Sequence, residues 1–175
     1  AGLLFFDTNY QSTSDNVSPN IVFSADSKTG FVAYAGSGTV LAFSAETGAV
    51  IKRIVTGGKP EFITPLQDGR SLAVVSVLDN RIFVIDMQDL VLKATYTFDG
   101  YFGFGSRITL SPDGSKGYIS STPTGTVIKF DASTGSELGK LTGLQGPAQI
   151  TVTKDGSTLL IVDVEANEVV FADAS

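Results

Sequence analysis

Three polar residues stand just ahead of short apolar runs. Glu61 precedes Phe62-Ile63-Thr64, Arg107 precedes Ile108-Thr109-Leu110, and Gln149 precedes Ile150-Thr151-Val152. A carboxylate, a guanidinium and an amide brought together would orient a polar ligand by charge-assisted hydrogen bonds. Glu61 and Arg107 would equally make an ion pair or a solvated rim, and such surface pairs are common and weak. A second polar group falls in turn segments: Asp79 and Asn80, then Glu165 and Asn167. A third is aromatic. Tyr101, Phe102 and Phe104 alternate with glycines and could present an apolar patch to a protein, a peptide or a sugar ring. Burial of Phe102 and Phe104 between neighbouring elements is the competing expectation, because large aromatics are usually inside.

Other chemistry is excluded by what the sequence lacks. It has no histidine and no cysteine. A Ser-His-Asp triad, imidazole or thiolate metal ligands, disulfides and thiol catalysis are therefore ruled out for these 175 residues. No Gly-x-Ser-x-Gly elbow, no Gly-x-Gly-x-x-Gly fingerprint and no Asp-x-Asp-x-Asp-Gly calcium loop occurs, so no cofactor and no metal is expected. The net charge of −6 argues against nucleic acid and against anionic lipid surfaces. No apolar run approaches the roughly 18 residues of a membrane-spanning helix.

The elements that must position these residues are short strands. Runs rich in Val, Ile, Phe and Tyr are separated by Asp-Gly, Thr-Gly and Gly-Gly turns, and no segment sustains a helical period. The turns Asp68-Gly69, Asp113-Gly114 and Asp155-Gly156 recur at intervals of 45 and 42 residues. Units begin at Pro19, Pro60, Gly105 and Pro147. Four strands in about 40–45 residues is the signature of a β-propeller blade. The expected fold is all-β, with about four blades of antiparallel strands at 19–58, 60–104, 105–146 and 147–175. The last unit stops before a fourth strand. Asp86, Asp131 and Asp173 recur once per unit and are expected to cap turns rather than to converge on a site.

The run Ile108-Thr109-Leu110-Ser111-Pro112-Asp113-Gly114 with Val127-Ile128-Lys129-Phe130-Asp131 resembles the YVTN-type propeller repeat. So does Pro147-Ala148-Gln149-Ile150-Thr151 with Asp155-Gly156. That group is related to the lactonase-like seven-bladed propellers. The first unit departs from the pattern: it has no Asp-Gly, and Ser44 stands where the others have aspartate. The resemblance implies an extracytoplasmic setting and about seven blades. The motif residues themselves belong to turns and core.

Residues 1–18 read as the end of a preceding blade, or as a strand that completes the last unit, in either case pairing with another blade. Half of a dimeric ring, or the remainder of a longer propeller, is expected ahead of a closed four-blade monomer. In a propeller, the loops entering the first strand and joining the second to the third share one face. Asn20, Glu61, Arg107 and Gln149 would lie there near the axis, with Asp79, Asn80, Glu165 and Asn167 farther out. The expected function is a non-catalytic scaffold binding a protein, peptide or carbohydrate on that face. A lactonase-like hydrolase completed by residues outside the chain, and a purely structural assembly module, are the alternatives.

Overall fold

The computed structural model describes residues 21–66, 68–100, 102–103 and 105–175. Within them lie four antiparallel sheets in chain order. The first is β1 (Val22–Phe23), β2 (Thr29–Tyr34), β3 (Thr39–Ser44) and β4 (Val50–Val55). The second is β5 (Pro60–Pro65), β6 (Ser71–Ser76), β7 (Arg81–Asp86) and β8 (Val91–Thr97). The third is β9 (Ile108–Leu110), β10 (Lys116–Ser121), β11 (Thr126–Asp131) and β12 (Glu137–Leu141). The fourth has three strands, β13 (Pro147–Val152), β14 (Thr158–Asp163) and β15 (Glu168–Asp173). Each strand pairs with the next in sequence, which is the meander of a propeller blade. The one helical segment among the described residues is a single 3₁₀ turn, Thr122–Thr124. The expected N-terminal strand, and the start of the first unit at Pro19 and Asn20, lie outside the described residues.

The turns that set the repeat are built by one device. Asp113 accepts hydrogen bonds from Ser111 Oγ (2.6 Å), the Ser115 amide (3.0 Å) and Ser115 Oγ (2.8 Å). Asp155 does the same with Thr153 Oγ1 (2.6 Å) and the amide and hydroxyl of Ser157. The next residue must turn with positive φ, and Gly69, Gly114 and Gly156 do so at 66°, 72° and 75°. The first blade keeps the device without the glycine. Asp26 accepts from Ser24 Oγ (2.7 Å) and the Lys28 amide (3.1 Å), while Ser27 takes φ 59°. Asp-Ser therefore makes the turn that Asp-Gly makes elsewhere.

The core lies between blades. Phe31, Ala33, Val40 and Ala42 of blade one meet Ile63, Leu72, Val74, Phe83 and Ile85 of blade two. Ala73, Val75 and Ile82 on the other face of blade two meet Ile108, Ile119, Ile128 and Phe130 of blade three. Tyr118 and Val127 then meet Ile150, Leu159, Ile161, Val170 and Ala172 of blade four. Because both faces of the middle blades are covered, their strands carry apolar residues at successive positions rather than alternately. The third strand packs a large aromatic over a glycine of the second. A Cβ on Gly117 would lie 2.1 Å from the Phe130 ring, and one on Gly30 would lie 2.2 Å from the Phe43 ring.

Candidate functional site: the groove of the inner strands

The first strand of each blade runs along the inside of the arc. Its entry sits beside the turn between second and third strands, since Pro60 pairs with Ser76 and Pro147 with Asp163. The Asp turns sit at the other end. There Arg70, beside the β5–β6 turn, donates to Asp86 (2.7 Å) and Asp89 (2.6 Å) of the β7–β8 turn. The two ends of the blades are thus separated as the sequence implied.

Between the inner strands runs a groove of about 450 Å³, lined by Phe62, Ile63, Thr64, Arg107, Ile108, Thr109, Gln149, Ile150 and Thr151. Three consecutive residues from each of β5, β9 with its preceding residue, and β13 build it. Thr64, Thr109 and Thr151 each precede their blade's turn aspartate by four residues, so the threonines are equivalent. By the same count Phe62, Arg107 and Gln149 are equivalent. Glu61 is one place out of step with Arg107 and Gln149: it stands seven residues before Asp68, the place that Ser106 and Ala148 hold in the next two blades.

That offset decides what Arg107 meets. Its guanidinium lies over the Phe62 ring at 3.7 Å from the centroid. One of its donors, Nη1, is used on the Ser106 carbonyl at 3.0 Å. The ion pair with Glu61 is not formed. Arg107 is half-buried, and that burial lowers its pKa. Its backbone is fixed from below: the Arg107 amide donates to Ser120 Oγ (2.9 Å), and that hydroxyl donates onward to the Ala148 carbonyl (2.7 Å). One serine therefore sets the spacing between the inner strands of blades three and four. Gln149 is exposed at the groove's edge.

The other sequence-selected residues go elsewhere. Glu61 is 7% exposed, and burial raises its pKa while the charge of Lys59 works against the shift. It shares its blade position with Ser106, a buried serine whose hydroxyl has no hydrogen-bond partner. Asn80 is a structural residue: it takes φ 53°, and its Oδ1 accepts from the Phe102 amide at 2.8 Å. Asp79 accepts a short hydrogen bond from Ser76 Oγ and pairs with Arg81 at 3.4 Å. Phe102 is fully buried beside Phe98, with ring centroids 5.7 Å apart, so it is core and not a contact surface. Tyr101 and Phe104 lie outside the described residues. Asn167 makes the equivalent of the Asn80 turn at φ 57°, and Glu165 is exposed beside Gly146. Asp86 and Asp131 cap turns by accepting two backbone amides each, and Asp173 accepts one from Ser175. Phe62 and the three threonines were not selected from sequence as site residues. The recurrence of threonine four residues before each Asp-Gly was the available signal.

No family model matches the chain, and no curated protein matches it in sequence. Solved structures do match. The hydrazine synthase of Kuenenia stuttgartiensis superposes with a TM-score of 0.76 at 20% identity, over 97% of this chain and 49% of that one. The β-propeller domain of Myceliophteria thermophila Cps50 (Swd1) gives 0.79 at 15% identity, over 92% and 55%. A candidate 6-phosphogluconolactonase of Bacteroides uniformis gives 0.77 at 20% identity, over 98% and 54%. The chain is a run of β-propeller blades. It spans about half the length of the structures it matches, and likeness at these identities shows the fold alone.

Proposed function

We propose that the chain is a non-catalytic propeller scaffold that holds a protein, peptide or carbohydrate ligand against its inner strands. The observation that carries this reading is the groove itself. It is open, backed by the interblade core, and edged by a guanidinium with one donor already spent on the Ser106 carbonyl, together with one amide and three hydroxyls that make no side-chain hydrogen bond among the described residues. Sites of this kind place a few polar groups on a stiff frame, which gives orientation without an ordering cost. The test is a screen of peptides and glycans against the chain and against an Arg107→Gln, Gln149→Ala variant. Binding that survives the double substitution unchanged would move the site off the groove.

A lactonase-like hydrolase is the second reading, favoured by the likeness to the candidate 6-phosphogluconolactonase. It requires residues contributed by further blades. Turnover of a lactone by this chain, lost in Arg107→Gln, would replace the scaffold reading.

Blade four also supports a ring-completing partner. The strand positions that face the next blade hold Ala73, Val75 and Ile82 in blade two, all buried. In blade four they hold Leu160, Val162, Val169 and Phe171, with Val169 50% and Phe171 70% exposed. The back face of another propeller blade is the occupant that fits, because this is how the preceding three interfaces are made. Light scattering of the chain with and without Phe171→Lys tests whether a second copy supplies it. A monomer in both cases assigns that blade to another polypeptide segment.

A further inference from the structure

Among the described residues, Arg107 has no anionic partner. It is half-buried in an acidic protein, it stacks on Phe62, and it spends one donor on a neighbouring carbonyl. A guanidinium offers five N–H donors in a rigid fork. Stacking on an aromatic fixes the plane of that fork, and partial burial strengthens any charge-assisted bond it makes. Phe62 is held from behind, since it packs into the core shared by blades two and three. The remaining edge of the guanidinium therefore has a fixed position along a groove that also carries Thr109, Gln149 and Thr151.

We propose that Arg107 is the receptor for a carboxylate group of the ligand, with Gln149 and the groove threonines positioned to bond the atoms beside it. This rests on the scaffold reading above and names the chemistry that the groove selects. The choice of carboxylate over phosphate follows from charge. The groove's lining supplies one cation, and a carboxylate supplies one compensating charge. A phosphate dianion would leave a net negative charge in a protein whose net charge is already −6. The fork of a guanidinium also matches two coplanar carboxylate oxygens. The carboxylate can belong to a small organic acid or to an acidic peptide side chain, and both present the same group.

Calorimetric titration of the full chain with glutarate, with the peptide acetyl-Gly-Glu-Gly-amide, with its glutamine counterpart and with phenyl phosphate separates the cases. Saturable binding of glutarate or of the glutamate peptide is expected, weaker by at least about tenfold for the glutamine peptide. Preference for glutarate assigns a small acid, and preference for the peptide assigns an acidic segment. Arg107→Gln should abolish the discrimination between the glutamate and glutamine peptides, and Arg107→Lys should recover it only in part. The Arg107 Nε–Hε resonance should shift during titration of the wild-type chain, a readout that does not depend on a variant folding. Equal binding of the two peptides, tighter binding of phenyl phosphate, an unmoved Arg107 resonance, or no binding of any carboxylate would overturn the proposal. A peptide or glycan that binds the groove while all of the carboxylate arms fail would leave the scaffold reading standing and remove this one.

Discussion

Gly117→Ala adds one methyl group and should disrupt the interface between blades two and three. The new Cβ would sit 2.1 Å from Phe130 Cζ and 2.5 Å from both Cε atoms. Ordinary carbon contacts lie at about 3.5–4.0 Å, so the ring must retreat by more than about 1 Å. It has nowhere to go: Phe130 is 2% exposed and stacks edge-on against Phe98 at 5.2 Å. Overpacking of this kind costs about 1–3 kcal/mol. For a chain of this size that lowers Tm by roughly 2–12 °C. Gly139→Ala is the control, since a Cβ there meets nothing within 4 Å. Denaturant unfolding of both variants, and of Gly117→Ala combined with Phe130→Leu, provides the assay. Leucine lacks the three atoms that collide, so the double variant should be more stable than the sum of the single costs by about 1 kcal/mol or more. Equal costs for Gly117→Ala and Gly139→Ala, or strict additivity with Phe130→Leu, would refute the packing account.

Three further outcomes follow from the same contacts. Tyr118→Phe removes the hydroxyl that donates to the Ala174 carbonyl at 2.5 Å and should cost about 1–3 kcal/mol in urea unfolding, because the carbonyl is left buried without a donor. Asp113 and Asp155 have their pKa lowered to about 2 by turn hydrogen bonds, led by Ser111 and Thr153. Their contribution to stability is therefore complete above about pH 4 and is lost as the pH falls towards 2, so Asp113→Asn should flatten the acid limb of a Tm–pH curve. Glu61 has the opposite sign, since burial raises its pKa. Glu61→Gln should stabilise the chain at neutral pH, with the gain vanishing below about pH 4 where the carboxyl is protonated in both states.

The fold was legible because the repeat is written in turn chemistry. Asp-Gly pairs need a positive φ and a side-chain acceptor, and both recur at the interval of a blade. The same chemistry survives in Asp26-Ser27, where the sequence shows no Asp-Gly and the strand assignments hold. The groove was legible only in part. Arg107 and Gln149 line the groove together, and Glu61 does not. Counted back from the turn aspartates, Glu61 aligns with Ser106 and Ala148, and Phe62 with Arg107 and Gln149. Phe62 consequently occupies the place facing Arg107, which lies over the ring and not against Glu61. Asn80 and Phe102 show the other limit. A polar turn residue and an aromatic among glycines suggest a surface site, yet the Asn80 side chain binds the Phe102 amide and sinks the ring into the core. Partner contacts of that kind join residues 22 positions apart and are set by packing rather than by local pattern.

The measurement that bears most directly on the groove is amide chemical-shift mapping with the glutamate peptide. Shifts are expected along the inner strands at Phe62, Thr64, Arg107, Thr109, Gln149 and Thr151, with the turns at Asp68, Asp113 and Asp155 unmoved. Shifts concentrated at those turns, with the inner strands silent, would put the binding surface at the opposite end of the blades and contradict the account.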